Sequence, residues 1–573
     1  MIPPKSLIIS FLVCSLCILF STDYIQGQNL ENIGGKLFQV SGNISVGNSF
    51  YKAIDRDNRR SPFAYFINAN PTFSIYGLDV PVSITYRDQQ GSISNPFNRY
   101  SINPTYKWAS LHLGNISLQM NPYTLSGVNF KGAGLEVNPG KLRFAVAAGE
   151  LENPLAQLDT IIEGAELLET YKRDAVAVKL GYGSANNFLE FSGFRAKDDI
   201  EQVNVELLNT RLVKPEENIV LGTSFKISPL RWFSIHANIA ASAHTANQGS
   251  LDILTTPDLE KAQEDYGDKF TLNVSSKLQL AGDAGFDFKF SNFGFGGEYK
   301  RVDPFYKSLG TYYFLEDYEN LLMKANISIF KNRVRFAGRG GIQRNNLNGL
   351  RTTTNTRQIA SGNLTLSPSR NFSLTARYSN FVNESSQGVV EINDSLRYTR
   401  TTAIYGVSPR YTFGSKSMQS TLIASANYQN LEDLLDNRNT GRSIDNYTGN
   451  LTYNLNLRER QAQIALSLLG NQNLLLNKET QRIGCSLRFT KKLMDKKLSV
   501  TSTGGYTKNY LNQLNDGTSV TLRFGLRYRI KRKYTAAINI NYLNRNGGSR
   551  VFQEYRSSMR FTYIFPRKGS NNN

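Results

Sequence analysis

Cysteine, histidine and tryptophan are scarce in this chain: 573 residues include three Cys, three His and two Trp. Cys14 and Cys17 fall within the first twenty residues, inside the segment read below as an export signal, which leaves Cys485 alone. One remaining thiol excludes an intramolecular disulfide framework. Cys485 shares its face with Ile483, Leu487 and Phe489 and reads as a small apolar residue. The histidines, His112, His236 and His244, are scattered, and no Cys/His cluster, P-loop or calcium loop accompanies them. No metal or cofactor is therefore expected. Long apolar runs are missing too. Past the N-terminus nothing approaches the ~20 apolar residues of a transmembrane helix, and the mean hydropathy is −0.37. Acid is the minority charge, with 46 Asp plus Glu against 66 Lys plus Arg and a formal charge of +20.

What is present is alternation. Ser519 to Ile530 reads SVTLRFGLRYRI, with Val520, Leu522, Phe524, Leu526, Tyr528 and Ile530 in phase against Thr521, Arg523, Gly525, Arg527 and Arg529. Period two is the mark of a strand with one apolar and one polar face. Tyr447–Leu457, Phe372–Tyr378 and Phe233–Ala243 behave alike. Such strands face either a protein core or lipid, and a barrel that faces lipid with every second residue keeps a low mean hydropathy.

The connections favour lipid. Tight turns are read at Asn138–Lys141, Phe330–Arg333, Ser367–Arg370 and Ile530–Lys533, and long loops at 151–172, 196–217, 246–268, 305–318, 383–395 and 430–445. Short turns on one side and long loops on the other are a property of outer-membrane barrels. Strands of ~10–14 residues separated in this way number about 26, within roughly 22–28, and an even number puts both termini on the periplasmic side. Pro71, Pro104 and Pro409 interrupt apparent strands, where proline suits edges or bulges. Many of the 30 Tyr sit at strand ends, as Tyr378, Tyr428, Tyr447, Tyr510, Tyr542 and Tyr555 do, where amphipathic rings form interfacial girdles.

The expected fold is all-β: a single large transmembrane antiparallel up-and-down barrel with short periplasmic turns and long extracellular loops. Lys5 followed by the apolar run Leu7–Phe20 makes residues 1–27 a cleaved signal peptide, with the cut after Gly27. Residues 28–35 are a short N-terminal segment, 36–565 the barrel and 566–573 a polar tail. The first strand is read at Lys36–Val46 and the last at Phe552–Phe565. In the last, Tyr555, Met559, Phe561, Tyr563 and Phe565 oppose Arg556, Arg560 and Thr562. This aromatic-ended strand resembles the signal that outer-membrane assembly machinery recognises. Over residues 35–565 the chain resembles a large Gram-negative outer-membrane β-barrel, and its Tyr- and Asn-rich strands resemble those of Bacteroidota. The stretch 121–143, NPYTLSGVNFKGAGLEVNPGKLR, is similar to uncharacterised barrels of that kind. Strand-like sequence beginning at Lys36 leaves no room for the plug domain of a TonB-dependent transporter, so that function is not carried over.

If the apolar face meets lipid, the other lines a lumen. The arginines in phase with it are Arg333, Arg335, Arg339, Arg377, Arg400, Arg410, Arg458, Arg482, Arg488, Arg523, Arg527, Arg529, Arg556 and Arg560. Almost no Asp or Glu is in phase with them within these strands, while the other half offers Glu190, Asp283, Asp287 and Glu298 as potential partners across the lumen. Arginine holds carboxylate, sulfate or phosphate in a planar fork, and a pore lined with it concentrates anions. The leading expectation is a porin-like channel for polar, anionic solutes. The alternative is a plugged barrel serving as scaffold or secretion partner for a surface-exposed protein, which inward-folded loops would favour. A membrane-embedded hydrolase using Ser234 with His236 or His244 comes third, since no GxSxG surrounds the serine, and the chain is not expected to be an enzyme. Acidic segments 159–169, 198–217 and 252–268 suit solvated loops or cation-bridged lipopolysaccharide, and Thr256–Glu260 has helix-start character. Outer-membrane lipids are the expected surroundings and nucleic acid is not a partner.

Overall fold

A computed structural model describes residues 38–88, 99–151, 171–200, 214–250, 269–311, 316–351, 353–387, 398–435, 438–475, 478–531, 533–548 and 551–565. The expected signal peptide, the segment 28–35 and the tail 566–573 lie outside these residues. So do the acidic segments 159–169 and 252–268, with the helix start at Thr256.

Each strand pairs antiparallel with its neighbours in the chain, and the first, Phe38–Ile54, pairs with the last, Phe552–Phe565. The seam runs from Gly42 opposite Phe565 to Ile54 opposite Gln553. Inside it, Ser45 and Thr562 share a hydrogen bond at 2.9 Å and Tyr51 donates to Glu554 at 3.2 Å. The sheet has 27 strand segments, but Arg99–Ile102 and Thr105–Tyr106 occupy one position between Leu78–Arg87 and Ala109–Ile116. The barrel is therefore closed from 26 strands, as expected. Pro104 causes the split, since it has no N–H for the ladder. Pro71 and Pro409 stay within strands at points where the pairing to one neighbour lapses. With strands ~4.8 Å apart and tilted by about 40°, 26 of them enclose a barrel about 50 Å across if round.

The outer face carries the expected apolar side chains, among them Val46, Phe50, Leu522, Phe524, Met559 and Phe561, each at least 40% exposed. Two aromatic bands bound it. In one, Tyr378, Tyr405, Tyr428 and Tyr447 stand in register on successive strands with ring centroids 5.1, 6.1 and 4.9 Å apart. Tyr542 and Tyr555 pair at 4.9 Å in the same manner, and Tyr534 and Tyr563 do so eight residues further along the same two strands. Eight residues span about 27 Å of strand, or about 20 Å of height at such a tilt, close to the ~25 Å apolar band of a membrane barrel. Cys485 is exposed on this face, opposite Tyr506 and Leu468 in the flanking strands.

Two expectations need correction. Residues 430–445 are not a long loop: Met418–Leu435 and Arg438–Leu457 form one tall hairpin in which Asn430 opposes Asp445 and Leu431 opposes Ile444. Likewise, Phe372–Gln387 takes residues 383–387 of the loop expected at 383–395 into the strand. Strands reach 20 residues in this half, against the 10–14 expected. Beyond the lipid both faces of a hairpin meet water. Apolar alternation then stops while the backbone ladder continues, so the pattern reads as loop. The second correction follows. Long connections at the end away from the termini are confined to the first two-thirds of the chain. In the last third, Leu435 and Arg438, Leu475 and Lys478, and Leu511 and Leu514 are each joined by two residues. Asn512 and Gln513 both have positive φ (48° and 65°), the backbone a two-residue hairpin needs.

Candidate pore lining

The inner face divides into two halves. From Leu142 to Val302 many lumen-facing residues are small or apolar: Ala145, Ala147, Ala175, Ala177, Phe194 and Val220 are all at most 3% exposed. Such a wall cannot face water, and it does not. Residues 117–129, between Ala109–Ile116 and Phe130–Val137, fold into the barrel and lie on it, with Leu118, Tyr123, Leu125 and Val128 buried. The polar groups of this segment find partners on the wall. Asn121 Nδ2 donates to the Thr223 carbonyl and to Ser224 Oγ at 3.0 Å, and Tyr123 donates to Asp283 at 2.6 Å.

A second inward segment, 303–311, lies against the first. Tyr306 donates to the Tyr123 carbonyl at 2.9 Å, Ser308 to the Thr124 carbonyl at 2.7 Å, and the Ser126 amide to the Gly310 carbonyl at 2.9 Å. A Cβ on Gly310 would meet the Thr124 carbonyl oxygen at 2.4 Å, so only glycine allows the approach. The two segments form one packed block on the inside of the barrel.

A buried polar cluster at the end away from the termini ties this block to the wall. Arg173 grips Asp198 through two bonds (2.7 and 2.9 Å) and reaches Glu216 at 3.1 Å. Glu216 also pairs with Lys307 of the inner block and lies 3.4 Å from His244. Asn218 donates to the Lys307 carbonyl at 3.3 Å and accepts from the Leu309 amide at 3.0 Å. Burial alone would raise the Glu216 carboxyl; the nearby His244 and the bonds to Lys307 and Arg173 outweigh that and hold it at about 2. A carboxyl depressed from about 4.5 supplies stability that is complete above the higher value and lost as pH falls through the lower one. Thermal unfolding should therefore be insensitive to this group from pH 8 to 5 and weaken between about 4.5 and 2, by about 3 kcal/mol at most. Glu216→Gln should flatten that acid limb, and an unchanged limb would show that the clamp lies elsewhere.

The other half, from Tyr318 to Phe565, presents the arginines. Arg335, Arg339, Arg377, Arg400, Arg410, Arg482, Arg488, Arg523, Arg527, Arg529, Arg556 and Arg560 stand on the lumen face by strand register. Arg333 and Arg458 stand in turns at the end with the termini, Arg458 donating to Gln419 at 3.2 Å. A recess of about 690 Å³ brings Arg488, Arg523, Arg527 and Arg560 together, and no carboxylate lines it. Leaving Arg400 aside, none of the fourteen forms an ion pair among the described residues.

The first half is the reverse. Arg143 pairs with Glu190 at 2.6 Å and Lys324 with Asp287 at 2.8 Å, while Asp283 takes Tyr123 and Asn238. Glu190 and Asp283 are thus satisfied on their own side, and Asp287 by Lys324 two strands away, where the second half begins.

His244 is committed to Glu216 at the clamp, and Ser234 and His236 share the inner face without a hydrogen bond between them among the described residues. Lys492 and Arg357 are lumen-facing cations that the sequence reading did not include. Lys492 stands four residues beyond Arg488 and was missed because only arginines were followed. Arg357, 3.1 Å from the centre of the Phe381 ring, was missed because its face also carries Ile359, which hides the polar phase.

No family model and no curated protein matches this chain. Among solved structures it is similar to the translocation pore of the P pilus usher PapC, at 11% identity and TM-score 0.39, over 92% of this chain and 99% of that one. It is also similar to the outer-membrane-expressed OmpT of Vibrio cholerae, at 10% identity and TM-score 0.25, over 69% and 98%. A variant of the Pseudomonas aeruginosa ferric enterobactin receptor PfeA matches at 9% identity and TM-score 0.40, over 92% and 80%. At these values the likenesses carry nothing about what this barrel binds or passes.

Proposed function

We propose that the chain is an exported outer-membrane channel for polar solutes, with anions favoured. The observation that carries this reading is the unequal lumen. One half of the wall is dry and covered by the inner block, while the opposite half exposes arginines that, Arg400 aside, form no ion pair among the described residues. Interiors of 8-stranded barrels are filled by side chains, whereas a barrel of 26 strands is several times wider in cross-section than the two inward segments among the described residues fill. The remaining passage runs along the arginine wall, where a one-sign surface concentrates counter-ions. In this reading residues 1–27 direct export, the outer face meets outer-membrane lipid and lipopolysaccharide, and the closing strand Phe552–Phe565 serves assembly.

The inner block favours a second reading, a barrel filled in its working state and serving as scaffold or secretion partner for a surface protein. One experiment separates the two. Purified protein in a planar bilayer under a KCl gradient should give large open steps with a reversal potential on the chloride side. Folded, heat-modifiable protein that never conducts would remove the channel and leave the scaffold.

A further inference from the structure

Strand register places six cations of the arginine wall in a regular lattice. Lys478–Leu493 carries Arg488 and Lys492, Leu514–Ile530 carries Arg523 and Arg527, and Phe552–Phe565 carries Arg556 and Arg560. Each pair is four residues apart on the lumen face. Across the sheet the upper members lie in one row, Arg488–Thr503–Arg523–Asn541–Arg556. The lower members lie in another, Lys492–Ser499–Arg527–Ala537–Arg560. Between them runs an uncharged row, Thr490–Thr501–Gly525–Asn539–Ser558. Cation columns are thus two strands apart, about 10 Å, and the two rows about 13 Å apart along the strands.

All six side chains are exposed, and none forms an ion pair among the described residues. Glu554, on the same face of the closing strand, is already taken by Arg56 at 3.1 Å and Arg59 at 3.2 Å. At the seam the Arg560 guanidinium lies 5.0 Å from the centre of the Phe66 ring, which itself lies over Gly47 in the lower row.

We propose that this lattice is a binding track for a linear acidic oligosaccharide with one anionic group on every second sugar. Three features together select that class. The column spacing is close to the length of a disaccharide, so successive carboxylates meet successive forks. Hydroxyl and amide side chains of the middle row offer bonds to the uncharged sugar hydroxyls. Phe66 supplies an aromatic face in line with the track, already polarised by Arg560. A lone sulfate or phosphate needs only one fork and has no use for the repeat. The inference rests on the reading of this face as part of an aqueous passage.

The test uses the full chain in detergent micelles, titrated calorimetrically with hyaluronan hexasaccharide, its disaccharide, neutral maltohexaose and sodium sulfate. The hexasaccharide should bind at least about tenfold more tightly than the disaccharide, because linked contacts reinforce one another, and maltohexaose should not bind. Arg523→Gln with Arg527→Gln removes the central column and should cost about tenfold or more, whereas Arg523→Lys with Arg527→Lys should keep most of the affinity. Equal affinity for hexasaccharide and disaccharide, binding no stronger than that of sulfate, or full binding by the glutamine pair would overturn the track. Heat-modifiability checks that each variant is folded, and if the glutamine pair fails that check, Lys492→Gln with Arg488→Gln tests the neighbouring column. The same preparations in bilayers separate the two claims. Conductance without hexasaccharide binding overturns the track and keeps the channel; binding without conductance keeps the track and removes the open passage.

Discussion

Replacing residues 118–128 with a short Gly-Ser turn should raise the single-channel conductance, by less than about twofold in so wide a barrel, and lower the unfolding temperature of the barrel. The replacement is feasible because Ile116 and Phe130, at the ends of the flanking strands, are paired directly opposite each other. A two- to four-residue turn can therefore join them, as in ordinary hairpins. Conductance should rise because the segment stands inside the barrel rather than over its mouth, held at Tyr123, Asn121 and Thr124 by wall residues on several strands. Stability should fall for two reasons. Leu118, Tyr123, Leu125 and Val128 each lose burial worth about 1.5–3 kcal/mol. Phe194, Val220 and Val302, now covered, are also left to water. An unchanged conductance in a folded variant would show that current does not pass the block.

Arg523→Glu, Arg527→Glu and Arg560→Glu together should move the reversal potential from the chloride side to the potassium side at low salt. The triple change alters the wall by two unit charges at each position and reverses it along the recess that joins these residues. In a wide passage salt decides the size of the effect. The Debye length is about 10 Å at 0.1 M and about 3 Å at 1 M. Inversion is therefore expected at 0.1 M or below, with only a small residual preference at 1 M. Because the three positions face the lumen and have no acidic partner among the described residues, folding should be little affected. Selectivity that stays with chloride at every salt concentration would remove the arginine wall as the selective element, whatever else the pore does.

The fold was legible because period-two alternation is a local signal. Each strand of the last third shows it alone, and the closing strand was found with its ends at Phe552 and Phe565. Legibility failed where the physical cause of the alternation ends. Above the lipid both faces are wet, so the hairpin joining Met418–Leu435 to Arg438–Leu457 loses its pattern while keeping its ladder. The inner block was hidden for a different reason. Residues 117–129 carry no strand or helix period, and only their cover of the dry wall explains them. That wall left a trace in the sequence: Ala145, Ala147, Ala175, Ala177, Ala196 and Ala240 stand on lumen positions where the other half has Asn, Thr or Arg. A dry inner face demands a cover, but the trace does not say which segment supplies it.

What this sequence determined by itself is the class of the molecule: strands, their outward face, their approximate number and the basic character of the other face. All of these follow from side-chain alternation over a few residues and need no knowledge of distant partners. What only the tertiary structure decided is which charges remain free. Glu190, Asp283 and Asp287 had looked like candidates to neutralise the arginines across the lumen, yet each is used by a closer residue, Asp287 by Lys324 two strands away. The lattice of Arg488, Lys492, Arg523, Arg527, Arg556 and Arg560 likewise exists only through register, which sets residues tens of positions apart side by side. Charge pairing depends on distances of a few ångströms between strands, and those distances are a property of the closed barrel.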